Sequence, residues 1–129
     1  MIYMLDTNAI SYAVLGKGRV RENIIKHKPS QLVVSNITVA ELRYGLAKQP
    51  RPKLEKAINS LLETLSVVVW DVNVSNKYGV FRRQLENQGL SLSYMDFLIA
   101  THAHVLGATL VSSDKGMINA LGNKAVDWF

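Results

Sequence analysis

Ile2-Tyr3-Met4-Leu5, an apolar run that stops on Asp6-Thr7-Asn8, decides how the rest of the chain is read. A short apolar segment bounded by turn-forming residues suits a strand buried on both faces, as the strands of parallel sheets are. In open parallel sheets, chemistry collects just past the carboxyl ends of the strands. Asp6 stands at such an end, and the turn that follows it leads into a helix.

Outward from that strand, apolar runs and helical periodicity alternate. A helix is expected from Asn8 to Leu15, stopped by Gly16 and Gly18. A second begins near Arg19 and ends before Lys28-Pro29, since proline biases its predecessor away from helix. Gln31 to Ser35 reads as another buried strand, after which Asn36 to Thr38 opens a helix with Leu42, Gly45 and Leu46 on its apolar side. Leu54, Ala57, Ile58, Leu61, Leu62 and Leu65 recur at amphipathic spacing. Val67 to Trp70 is the third strand, released at Asp71. Val74, Tyr78, Phe81 and Leu85 outline a helix closed by Gly89. Met95, Leu98, Ile99, Ala103 and Leu106 mark the next helix, and Thr109 to Val111 is a fourth strand. A short helix to Leu121 and an edge strand from Ala125 to Phe129 complete the chain. The pattern predicts one α/β domain over residues 1–129, a central parallel sheet of four to five short strands flanked by helices.

The 129 residues suffice for a real core, and 48% hydrophobic with 19% charged residues excludes a disordered chain. The absence of cysteine excludes disulfides and thiolate metal sites. No apolar stretch reaches the roughly 20 residues of a membrane helix. Asp6 without a basic leader argues against a secretory signal, so the expectation is a cytoplasmic protein with no membrane partner. The net charge of +5 favours a polyanion, nucleic acid first. Each basic group alone reads as a solvated helix face. Few aromatic residues interleave the basic groups, so the sequence gives base stacking little support.

Of ten acidic residues, Glu22, Glu55, Glu63 and Glu86 lie inside amphipathic helices. Asp6, Glu41, Asp96 and Asp114 instead lie at or near helix starts. Capping explains each one singly: Thr38-Val39-Ala40-Glu41 matches a capping box, Ser93-Tyr94-Met95-Asp96 is a close variant, and Asp6 and Asp114 suit N-caps. Taken together they would converge on one cleft at the sheet edge. Converging carboxylates repel unless one takes a proton or a cation sits among them. An all-oxygen set suits a hard dication, Mg2+ or Mn2+. His102 and His104 point different ways on one helix and His27 stands alone, so none is expected as a ligand. Asp71 also follows a strand, so composition leaves it open between joining the cleft and capping its own junction.

These segments resemble the PIN-domain ribonucleases, and within them the VapC-type toxins of toxin–antitoxin pairs. Met4-Leu5-Asp6-Thr7-Asn8 is similar to the family's first strand and catalytic aspartate. Val34 to Leu42 resembles the glutamate segment, Ser93 to Ala100 the segment of the third acid, and Thr109 to Asp114 the last strand and its acid. One departure stands out: many relatives carry a further acid where this chain has Gly116-Met117. The ending Asp127-Trp128 is similar to the enteric type of VapC.

The resemblance implies a metal-dependent endoribonuclease whose Asp6, Glu41, Asp96 and Asp114 hold Mg2+ or Mn2+ and act in catalysis. Thr7 and Asn8 would orient Asp6, Ser113 would orient Asp114, and Arg82 and Arg83 are candidate RNA phosphate contacts. It also implies a VapB-type antitoxin, a homodimer within a larger toxin–antitoxin assembly, and an RNA substrate, tRNA foremost. Two rival classes remain. A haloacid dehalogenase-like phosphatase also opens on a strand ending in Asp, but its general acid, two residues later, is Asn8 here. A catalytically inactive RNA-binding or interaction module is favoured only by the acid missing after Asp114.

Overall fold

A computed structural model describes residues 1–129. Strands β1 (Tyr3–Leu5), β2 (Leu32–Ser35), β3 (Ser66–Val68), β4 (Thr109–Val111) and β5 (Ala125–Val126) form one sheet in the order β3-β2-β1-β4-β5. Every neighbouring pair is parallel. The helices are α1 (Thr7–Leu15), α2 (Val20–Ile25), α3 (Asn36–Lys48), α4 (Pro52–Thr64), α5 (Val72–Asn87), α6 (Tyr94–Leu106) and α7 (Lys115–Leu121).

Side chains alternate across a strand, so each apolar run supplies both faces of the sheet. Leu5, Leu32, Val34 and Val111 join the core beneath α1, α3 and α4, with Ile10, Leu42 and Ile58. Met4, Val33 and Leu110 join a second core beneath α5, α6 and α7, with Phe81, Phe97 and Met117. Burial on both faces is why the strands read as continuous apolar runs.

Four expectations need correction. Val69 and Trp70 lie outside β3: Trp70 leaves the sheet to donate its backbone N–H to Asn36 Oδ1 and its indole N–H to Leu98 O. The last strand stops at Val126, because Trp128 turns inward to stack on His27 and Tyr3. Gly45 is exposed rather than on the apolar side of α3. The Thr38–Glu41 capping box does not form. Ser35 is the N-cap, its Oγ accepting from Ile37 N, which puts fully buried Thr38 in the first turn and Glu41 in the second.

A candidate acidic site at the strand ends

The strand order reverses direction at β1, leaving a crevice between β1 and β4 at their carboxyl ends, where open α/β sheets bind ligands. Asp6 and Asp114 stand on its two sides. Asp6 caps α1, one carboxylate oxygen accepting from Ala9 N at 2.8 Å, and its own N–H extends the ladder to Val111 O. Asp114 caps α7 in the same way, accepting from Met117 N at 2.9 Å. Asp96 enters from the first turn of α6, whose N-cap Ser93 accepts from the Asp96 N–H at 3.1 Å.

Asp6 and Asp96 sense neighbouring carboxylates. Burial pushes the Asp6 carboxyl from the ordinary 3.8 up to about 6, against hydrogen bonds from Ser112 and Ala9, with the charges of Asp96 and Asp114 adding to the rise. Burial also raises Asp96, with Asp114 contributing. Glu41 joins through a neighbour: Thr7 Oγ1 donates to its Oε1 at 2.7 Å. No cation of the chain pairs with any of these four acids, since both ion pairs, from Arg82 and Arg83, go to Glu86.

The supporting residues differ from expectation. Thr7 donates to Glu41 and not to Asp6, whose Oδ1 accepts from Ala9 N–H and whose charged form the nearby Ser112 hydroxyl favours. Asn8 is exposed at the start of α1, beyond the capping contact. Ser113 is exposed, whereas fully buried Ser112 both donates to Asp6 and accepts from Asp114 N at 3.1 Å. Its neighbour's acid drew attention to Ser113. The signal that singles out Ser112 is its place directly after β4, two residues before a helix cap.

Arg82 is not a free phosphate contact. Its Nη1 donates to Tyr78 Oη at 2.9 Å and its Nε faces Glu86 at 3.4 Å, while exposed Arg83 lies 3.0 Å from the same carboxylate. Arg51, not singled out from the sequence, lines a groove of about 230 Å3 with Thr7, Ser11 and Glu41. Asp71 caps α5 through Val74 N and belongs to another corner. His102 is buried with Ser35 Oγ 2.8 Å from its Nδ1, and His104 stacks on Phe81 at 4.1 Å.

The donor set is all oxygen and uncompensated, which suits a hard dication. No three acidic or histidine side chains are gathered closely enough to enclose one by themselves. A hydrated Mg2+ needs only one or two carboxylates and keeps several waters.

A parallel α/β sheet with unpaired acids at its switch point defines a class of acid-lined domains. The chain belongs to the PIN-domain family: that family's model matches residues 3–122. It is similar to "Ribonuclease VapC2" of Rickettsia felis, 33% identical over 117 residues, 88% of this chain and 87% of the relative. It is similar as well to the "tRNA(fMet)-specific endonuclease VapC" of Shigella flexneri, 28% identical over 129 residues, 98% and 97% of the two chains. Among solved structures, VapBC2 from Rickettsia felis bound to a promoter DNA fragment superposes with a TM-score of 0.88 at 29% identity, covering 100% of both chains. No helix is long and apolar enough to cross a membrane.

Proposed function

We propose that this chain is the toxin of a toxin–antitoxin pair, an endoribonuclease that hydrolyses RNA phosphodiester bonds with Mg2+ or Mn2+, tRNA being the foremost substrate. One observation carries the reading: Asp6, Asp96 and Asp114, from three separate segments, lie near enough for the charges of Asp96 and Asp114 to act on Asp6, and none is paired with a cation in a chain of net charge +5. Relatives named as ribonucleases and a tRNA endonuclease support the activity, and the likeness to a VapBC complex supports a VapB-type antitoxin partner.

Asp6 and Asp96 would hold the dication, with Asp114 and Glu41 completing its surroundings directly or through water. When bound, the ion supplies an activated water and neutralises charge on the phosphate oxygens. The residues do the rest. Ser112 fixes the Asp6 and Asp114 sides of the crevice relative to each other. Thr7 holds Glu41 in place, and the first turns of α1 and α7 donate backbone amides to the carboxylates of Asp6 and Asp114. Nothing at position 8 supplies the acid that an aspartyl-phosphate mechanism requires.

Purified protein incubated with total tRNA should generate new RNA ends in Mg2+, none in EDTA, and none with Asp96→Asn. Cleavage that persists in excess EDTA would overturn the metal assignment; no cleavage of any RNA in Mg2+ or Mn2+ would leave only the inactive-module reading.

A further inference from the structure

Beside the acidic crevice lies a second depression, of about 550 Å3, lined by Arg82, Leu90, Leu92, Tyr94 and Phe97 among others. A Cβ built on Gly116 would fall 3.0 Å from both Asp114 Oδ1 and Leu92 Cδ2, so only a glycine's width separates the acid from the wall of the depression. Tyr94 occupies the first turn of α6, two residues before Asp96, and is 73% exposed, far more than a ring of its size needs to be.

Its ring is nevertheless held. The Arg82 guanidinium lies over it at 4.9 Å from the centroid and over Phe97 at 4.4 Å, and is fixed in turn by Tyr78 Oη and Glu86. Arg82 covers one face of Tyr94, and the exposure leaves the other to solvent. Such a ring loses little freedom when a flat partner is added. Arg82, Arg83 and Glu86 together carry one net positive charge here, which suits an anionic strand. The aromatic interleaving lacking in the linear sequence is thus built in space, from α5 and α6.

We infer that Tyr94, backed by Arg82, is a stacking platform for an unpaired nucleobase of the RNA whose phosphate lies at the acids. This rests on the nuclease reading above and adds where a base goes. An aromatic platform accepts bases that are splayed from a loop and rejects those stacked in a duplex. Tyr94 is accordingly a residue that selects single-stranded substrate.

The test separates stacking from cleavage. RNA hairpins carrying the fluorescent analogue aminopurine at successive loop positions are titrated with wild-type protein and with Tyr94→Ala, Tyr94→Phe and Tyr94→Trp, in EDTA so that only binding is read. One loop position should change its fluorescence on binding wild type. Tyr94→Ala should weaken binding roughly 5- to 150-fold, the range that alanine substitution gives for base–aromatic stacks. Phe and Trp should restore it, and the Tm should not move. An abasic nucleotide at the responding position should cause the same loss in wild type and no further loss in Tyr94→Ala. Unchanged affinity of Tyr94→Ala, or losses that simply add at every loop position, would overturn the inference even if tRNA is cleaved. Failure of the nuclease reading appears instead as intact coupling without cleavage in Mg2+.

Discussion

Replacing Asp6 by asparagine should stabilise the protein at neutral and alkaline pH while removing its proposed cleavage of RNA. Folding takes the Asp6 carboxyl from 3.8 to about 6, chiefly by burial. Because the folded value is the higher one, the native protein retains a proton that the unfolded chain has released between those two pH values. The contribution of this one group is therefore fully present below pH 3.8, falls as pH rises, and is lost above the folded value of about 6. The interval corresponds to about 3 kcal/mol. That is a ceiling, since Asp6 keeps part of its surface exposed. Asparagine has the same shape, can still accept from Ala9 N–H, can donate to Ser112 Oγ, and carries no charge to desolvate.

Urea denaturation of both proteins at about pH 8 and about pH 4, in chelator, gives the difference directly. The variant should lead by up to about 3 kcal/mol at the higher pH and by no more than about 0.5 kcal/mol at the lower. His102 titrates in the opposite sense. Burial lowers its pKa, so it withdraws stability as pH falls below the ordinary 6.5. It is present in both proteins and cancels in the difference. Mn2+ at a hundredfold excess over its Kd should return about 2.7 kcal/mol to wild type and distinctly less to the variant. A variant no more stable than wild type at pH 8, with an unchanged denaturant slope, would show that Asp6 is not desolvated as described.

Ser112→Ala removes the donor to Asp6 and the acceptor for Asp114 N, so stability should fall by about 1–2 kcal/mol. Losing a bond that favours the Asp6 carboxylate raises its pKa further, and the acidic limb of the pH–rate profile should move upward; an unmoved limb would exclude Ser112 from the site. Thr7→Val should lower metal affinity or activity by about 10- to 100-fold by releasing Glu41, with Thr7→Ser keeping most of it. Gly116→Ala should miss the gain of up to about 1 kcal/mol that alanine normally gives over glycine in a helix, because its Cβ meets Asp114 and Leu92. Cleavage should also drop as Asp114 is displaced, and full stabilisation with unaltered activity would argue against that contact.

The architecture was legible because burial on both faces leaves a mark in the linear chain: β1, β2 and β4 are unbroken apolar runs, and each ends on a polar residue that starts a helix or the turn into one. What escaped depends on partners distant in sequence. Val69-Trp70 has the composition of a strand, yet Trp70 leaves the sheet for Asn36 and Leu98. Trp128 reads as strand and is drawn into the core beside His27. Adjacency alone chose Ser113 over Ser112. The Arg82–Tyr94 contact joins residues of two helices, and nothing in either local segment announces it.

Glu41 shows most clearly how capping and function divide the acids. A capping box would have explained it wholly, but Ser35 takes that duty from the end of β2, and the glutamate, a turn further on, is bound by Thr7 beside Asp6. For Asp6 and Asp114 the two explanations coincide. An N-cap carboxylate receives one backbone amide and the favourable end of a helix dipole, which favours its charged form. One oxygen of each goes to the helix. Helix capping is thus the device by which a small parallel sheet can set several carboxylates face to face, and the remaining imbalance at Asp6 is what a bound dication would relieve.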